Sequence, residues 1–424
     1  VLVGELKNEQ IEYRSATSCL MAIGNANGKH IITIEGINME VLNPIQEAFK
    51  EEGATQCGFC TPGFIVSLAG FCLSEKEPSY ENAIAAIDGN ICRCTGYKSI
   101  ERAAARLVDV IKQRNGSSAI DFVTDNSVLP QYLKSIKTRL QALAVNGSMP
   151  ITGTSKKKLG GGTDLYVQQP EAMVRSEINF LFNQNELKGI WKEDKKCYIG
   201  AAATVTDLVE SDLINEHFPQ IKKFIKLVSS TQIRNMATVA GNFVNASPIG
   251  DLSIFFLALN AQLLLSSGEE KREVALRDFY KGYKQLNKSE EEFIEKIWFD
   301  LPPENARFNF EKGSKRTHLD IASVNSAMLI RVDEDKIVSA AISAGGVAPI
   351  PMFLKAASSA LVGKNLSEEL ILKIIELAQS EITPISDVRG SEAYKRLLLT
   401  QLIKAHFITL FPQQFSIEKI VTAP

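Results

Sequence analysis

Two close cysteine pairs, Cys57-Gly58-Phe59-Cys60 and Cys92-Arg93-Cys94, constrain this chain more than any other feature. Each stands just before a segment of helical apolar period, so two helix-start loops must meet if the thiols are to serve one centre. Six of the seven cysteines in this 424-residue chain precede residue 95, a distribution better suited to metal or redox chemistry than to a disulfide framework. Thiolates are soft ligands, and helix N-termini help to stabilise their charge. Four of them fit structural zinc or an iron-sulfur cluster. The CxC spacing favours the cluster, because structural zinc usually spaces its ligands more widely, whereas a 2Fe-2S cluster takes two ligands on each iron. The residues alone leave open a zinc-stabilised interaction protein with no redox role. Cys72, on an apolar helical stripe, and Cys197, in a strand-like run, read as small core residues.

The local pattern supplies helices around both pairs. Residues 1–42 show strand-like runs at Val1 to Val3 and His30 to Ile34, broken by polar turns. Asn43 with Pro44 and Gln46 predicts a capped helix whose Ile45, Ala48 and Phe49 share a face. Thr61-Pro62 opens a second, with Ile65, Leu68, Ala69 and Cys72 as one stripe. A third follows Ser79, and a fourth begins after Ser99 and ends at Asn115-Gly116. Beyond them, a small, polar stretch predicts a linker, and Pro302-Pro303 marks a second boundary. The last part predicts strands, including Ile337 to Ser343, and then two amphipathic helices, the first with Ile371, Ile374, Ile375 and Ala378 on one side.

Length allows roughly three domains of ~150 residues. The net charge of −2 offers nothing to nucleic acid or to a membrane surface. The longest apolar stretch, Leu252 to Leu265, is too short to span a bilayer and predicts a buried helix. With no charged-then-apolar leader at Val1 to Leu6, a cytoplasmic location is expected. His30, His217, His318 and His406 have no motif context.

A second feature lies at Gly160-Gly161-Gly162-Thr163-Asp164-Leu165, preceded by Lys156-Lys157-Lys158-Leu159. Three glycines let backbone amides approach a phosphate closely. The run is neither GxGxxG nor a P-loop, so a plain glycine-rich turn beside solvated lysines remains the alternative.

QCGFCTPG at 56–63 and GNICRCTGY at 89–97 resemble the helical iron-sulfur domain of the molybdenum hydroxylase family. The resemblance implies Cys57, Cys60, Cys92 and Cys94 as ligands of a 2Fe-2S cluster. VLVGEL at 1–6 and SCLMAI at 18–23 resemble parts of the plant-type ferredoxin domain that precedes it in that family, with Cys19 as the fourth ligand of a second cluster. The cysteine triplet that would complete that site is not in this sequence, and a natural N-terminus upstream is expected, with a second cluster that is not assembled as the alternative.

GGGTDL, QIRNMATVAGN at 232–242 and ASPIGD at 246–251 resemble the family's flavin-binding domain. Implied contacts with the FAD phosphates and adjacent groups are Lys158, Leu159, Gly160, Gly161, Gly162, Thr163, Asp164, Ala237, Thr238, Gly241 and Asn242. Ser247 and Asp251 would lie further along the cofactor. Ala240 stands where the family often has glycine. Lys312, in FEKGSKR, resembles a lysine near the flavin, with a surface lysine as the alternative. AGGVAPIP at 344–351 and PISDVRGSEAYKRLL at 384–398 resemble the domain that follows.

The fold implied is multi-domain α+β. It has a truncated β-grasp ferredoxin-like unit (1–42), a four-helix iron-sulfur bundle (43–116), a linker (117–140), a two-part α+β FAD-binding domain (141–303) and a C-terminal α+β domain (304–424). The function implied is electron transfer within a purine-oxidising member of the xanthine dehydrogenase type. A separate large subunit would carry molybdopterin in a heterotetramer of two copies each, with electrons passing through the clusters to FAD and on to NAD. An aldehyde or other N-heterocycle oxidoreductase is the alternative within the family.

Overall fold

The computed structural model describes residues 1–144 and 157–417, so Lys156 and the start of the expected flavin domain lie partly outside the described residues. The chain forms two compact units. Among the described residues the first holds 1–144, 161–176 and 229–236, and the second holds 157–160, 177–228 and 237–417.

The first unit opens with a three-stranded antiparallel sheet in which β1 (Leu2–Lys7) lies between β2 (Gln10–Ser15) and β3 (His30–Ile32). Four helices follow: α1 (Pro44–Glu51), α2 (Thr61–Cys72), α3 (Tyr80–Ala86) and α4 (Tyr97–Ile111). The Asn43 capping box forms as predicted, with Asn43 accepting from Gln46 N and Gln46 returning a side-chain bond to Asn43 N. Helix α2 is buried more widely than a single stripe. Every residue from Phe64 to Cys72 is inside, so it forms the centre of the bundle. Helix α4 starts three residues earlier than predicted, because Gly96 rather than Ser99 occupies the cap position.

Residues 117–140, predicted as a linker, are built into this unit. Ser118 caps α5 (Ala119–Asp125) and α6 (Ile136–Ala144) follows. Phe122, Val123, Val128, Leu129 and Leu133 join the same core as α2 and α4. The apolar spacing after Ser118 outweighs the polar start of the stretch. The segments 161–176 and 229–236, both grouped with the flavin domain from sequence, also fall in this unit.

In the second unit, β4 (Lys157–Leu159) pairs in parallel with β5 (Ile178–Phe180). An antiparallel five-stranded sheet runs β6 (Ile190–Glu193), β7 (Lys196–Gly200), β10 (Phe293–Asp300), β8 (Gln262–Ser267) and β9 (Glu270–Ala275). It packs with α7 (Val239–Asn245) and α8 (Asp251–Ala258). The buried helix predicted over Leu252 to Leu265 is a correction. Helix α8 stops at Ala258, Asn260 turns the chain at φ 54°, and the rest is strand β8. Asn tolerates that left-handed backbone better than most residues. A second antiparallel sheet, β11 (Ala306–Gly313), β12 (Val324–Asp333), β13 (Lys336–Gly345) and β14 (Met352–Phe353), carries α9 (Lys355–Leu361), α10 (Glu368–Glu381) and α11 (Glu392–Leu410). Among the described residues no helix is long and apolar enough to cross a membrane.

His406 on α11 is fully buried, and burial pushes its pKa down to about 3. Asn309 Nδ2 donates to its Nδ1 at 3.0 Å, which leaves Nε2–H to donate to Ser326 Oγ at 3.0 Å. Protonating Nδ1 would set two donors against each other. The unfolded chain takes up that proton near pH ~6.5 and the native protein does not, so stability should fall by about 1.4 kcal/mol per unit as pH drops from there towards the native value. Urea titrations of wild type and His406→Gln between pH 7 and 4 would check it, the variant giving the flatter curve.

Candidate cofactor sites

The four cysteines of the pairs come together in the first unit. Cys57 and Cys60 occupy the loop before α2, where Gly58 has φ +84°, and Cys60 is the residue preceding the helix. Cys92 and Cys94 lie in the irregular loop before α4, followed by Thr95 at φ 60°. The thiols interact across the two loops, Cys57 with Cys94 and Cys60 with Cys92. Backbone donors also reach the sulfurs. Gly96 N donates to Cys92 Sγ at 3.4 Å, and a bond to the Phe59 backbone lowers the Cys57 pKa, as the Gly96 amide lowers that of Cys92. Desolvation, and then Cys92, pushes Cys60 up to about 11.

Among the described residues no three His, Cys, Asp or Glu side chains are gathered to hold a metal ion as they stand. The thiols lie instead as two pairs. Each pair joins one cysteine of either loop, an arrangement that fits two thiolates on each iron of a two-iron cluster. Cys72 is buried with its pKa raised to about 12, as a core residue should be. Cys19 is exposed on the short turn Ser18–Leu20 and makes no bond to the four.

The glycine-rich segment leaves β4 at Leu159, which is fully buried. In the second unit Gly160 faces Thr238, and a Cβ there would stand 2.9 Å from Thr238 Oγ1. Thr238 caps α7 by accepting from Gly241 N at 3.0 Å, and a Cβ on Gly241 would meet the same oxygen at 2.7 Å. Two glycines thus close on one hydroxyl, which leaves no room for a side chain at either position. Ala237 O accepts from Val205 N at 2.9 Å, which fixes the start of this turn. Lys158 reaches Glu290 O at 3.1 Å. In the first unit, Gly161 to Asp164 lead into the helix Leu165–Gln168, where Gly162 has φ +83° and its carbonyl accepts from Tyr166 N, while Thr163 is half-buried and Asp164 exposed.

Asn242 Oδ1 accepts from Ser253 N at 3.2 Å, and Ser247 Oγ accepts from Ile249 N at 3.3 Å, so side chains shape the loop into α8. Asp251 and Lys312 pair at 2.7 Å with side-chain exposures of 13% and 1%. Lys312 is therefore no surface lysine, as its alternative reading had it. It also donates to Leu227 O, while Asn325 Nδ2 donates to Asp251 Oδ1 at 2.6 Å. Burial pushes the Asp251 carboxyl up, against the pull of Lys312 and Asn325. Asn325 was not singled out from sequence. Its signal is Gly345 of the AGG motif, whose Cβ would lie 2.2 Å from Asn325 Oδ1. Lys312→Met should cost ~3–5 kcal/mol by leaving a buried carboxylate unpaired, a loss that chemical denaturation would measure.

Residues 33–105 match a [2Fe-2S] binding domain, 133–302 the FAD binding domain in molybdopterin dehydrogenase, and 310–410 the CO dehydrogenase flavoprotein C-terminal domain. The chain carries the electron-transfer 2Fe-2S and FAD domains of the molybdenum hydroxylase family. Among relatives of these molybdenum hydroxylase domains, a xanthine dehydrogenase of Emericella nidulans is 28% identical, over 86% of this chain and 32% of its own length. A nicotinate hydroxylase of the same organism is 25% identical, over 89% and 37%. The chain thus spans about a third of the length of the curated relatives it matches. Among solved structures, the reconstituted CO dehydrogenase from Oligotropha carboxidovorans is similar with a TM-score of 0.55 and 28% identity, over 58% of this chain and 86% of that one. The carbon monoxide dehydrogenase from Hydrogenophaga pseudoflava gives 0.58 and 25%, over 62% and 92%.

Proposed function

We propose that this chain is the electron-transfer part of a xanthine dehydrogenase, receiving electrons from a molybdopterin-bearing partner and delivering them through 2Fe-2S and FAD to NAD. The observation that carries the reading is the set of two thiol pairs in one chain with a glycine cradle at Thr238. Cys57, Cys60, Cys92 and Cys94 would hold the cluster, and Cys19 would belong to a second. Lys158 to Asp164, Ala237, Thr238, Gly241 and Asn242 would hold the FAD phosphates, with Ser247, Asp251 and Lys312 further along. The bound groups would supply one- and two-electron redox chemistry. The protein's part is to fix them. Amides at Phe59 and Gly96 stabilise thiolate charge, and the Asp251–Lys312 pair sets a rigid, internally neutral wall. We assign 1–42 to the ferredoxin-like part, 43–116 to the helical iron-sulfur domain, 141–303 to the flavin domain and 304–424 to the C-terminal domain of a cytoplasmic heterotetramer.

The test is an oxygen-free preparation. Brown protein containing iron and acid-labile sulfide, and releasing FAD on denaturation, is expected. Colourless protein with stoichiometric zinc would end the reading. The 25%-identical nicotinate hydroxylase supports a second reading, in which the partner oxidises another N-heterocycle. NAD reduction driven by xanthine but not by nicotinate, measured on the complex with its native partner, would separate the two.

A further inference from the structure

The segment 229–236 lies far in sequence from the cysteine loops, yet it belongs to their compact unit. Thr231 N and Arg234 Nη2 both donate to Asp88, each at 2.7 Å, and the Arg234–Asp88 pair is nearly buried. Gln232, 8% exposed, goes deeper. Its Nε2 donates to Ala86 O at 2.8 Å, to Ser67 Oγ at 3.2 Å and to Asn90 Oδ1 at 3.3 Å. A carbonyl oxygen can only accept, so the Ala86 bond fixes which end of the amide is nitrogen. The other end, Oε1, has no hydrogen-bond partner among the described residues and is turned towards Gly89, where a Cβ would lie 1.9 Å away. All of Gln232's polar work is therefore done by its N–H groups.

Asn90 is where that work converges. Its Oδ1 also accepts from Ser67 Oγ of α2 at 2.8 Å, and its Nδ2 sits where a Cβ on Gly63 would be 3.1 Å away. Gly63 is three residues after Cys60, and Asn90 is two before Cys92. The Asn90 amide thus ties the loop that carries Cys92 to α2, the helix that starts directly after Cys60. The loop 87–96 has no regular structure to hold it, so its place depends on such side-chain bonds.

We infer that Gln232 and Asn90 are positioning residues of the 2Fe-2S site, Gln232 fixing the Asn90 amide and Asn90 fixing the separation of Cys60 from Cys92. The inference rests on those cysteines being cluster ligands. Small changes in sulfur placement and in the amide bonds to sulfur alter a cluster's potential and its magnetic anisotropy.

The full chain, purified without oxygen, would be compared with Gln232→Glu, which keeps the shape but loses the donors, and with Gln232→Met, which keeps the volume. Both are expected to keep FAD, to shift the midpoint potential and the electron paramagnetic resonance g values of the reduced cluster, and to lose iron to a chelator faster. Thr231→Val removes a hydroxyl from Asp88 and Ala85 without touching Asn90 and should leave all three where they are. Unchanged potential, g values and iron lability in both Gln232 variants would overturn the inference. So would an equal shift in Thr231→Val, or loss of iron and FAD in step. Wild-type protein without iron would instead overturn the cluster reading on which the inference stands.

Discussion

Cys92→Ser is expected to abolish the visible and magnetic signals of the helical-domain cluster while leaving the FAD content intact. Cys92 is the most buried thiol of the four, it accepts from Gly96 N, and it faces Cys60 from the other loop. Serine offers a hard oxygen whose proton is lost far less readily than a thiol's, and iron in a sulfide cluster favours soft thiolate. Most residues expected at the flavin, from Ala237 to Lys312, lie in the second unit on elements with their own core, so cofactor loss should be selective. Cys72→Ser is the matched control. It buries a hydroxyl on α2, at a cost of about 1–3 kcal/mol, but removes no ligand. Iron and labile sulfide per FAD in the three proteins decide the matter. A full complement in Cys92→Ser would refute the ligand assignment.

The cysteine loops were legible because their chemistry is written locally. A CxxC and a CxC before helix starts define both the ligands and the elements that carry them, and the helices around them follow from caps such as Asn43 and Ser79. What stayed hidden was contact made at long range. Gln232 and Arg234 sit inside a stretch that reads as part of a flavin motif, and nothing in their spacing announces Asn90 or Asp88. Polar partners more than a hundred residues apart leave no periodic trace. The misread helix at Leu252 to Leu265 has a different cause. Helix α8 is buried from Leu252 to Ala258 and so shows no helical alternation, and Asn260 marks the break before β8. The stretch between Gly116 and Ile120 is small and polar and reads as a linker, whereas Phe122, Val123, Val128 and Leu129 behind it join the core.

Lys312 shows the limit of judging a residue by type. Lysines are usually solvated, but this one is held by Asp251 and Leu227 O in the interior. The neighbouring glycines argue the same way in reverse, since Gly345 is needed because Asn325 occupies the space beside it. Sequence shows the small residue, and the structure shows what it makes room for.

Gly160→Leu should empty the flavin site while the iron-sulfur signals persist. Gly160 does not need glycine for its backbone angle, as Gly162 does, so the effect of a side chain is steric. Its first carbon would be 2.9 Å from Thr238 Oγ1, and a branched side chain must either displace Thr238 or fill the space that backbone amides would offer to phosphate. Displacing Thr238 uncaps α7 by losing the bond from Gly241 N, at a cost of ~1 kcal/mol. That is too little to unfold a unit whose core includes Phe243, Phe255, Phe256 and Leu263. FAD should therefore be lost without loss of fold. Gly160→Ala gives the graded case, since only one contact has to yield, and weakened rather than absent FAD is expected. FAD content after gel filtration, read beside iron content and the urea midpoint, distinguishes these outcomes, and undiminished FAD in Gly160→Leu would remove this turn from the cofactor site.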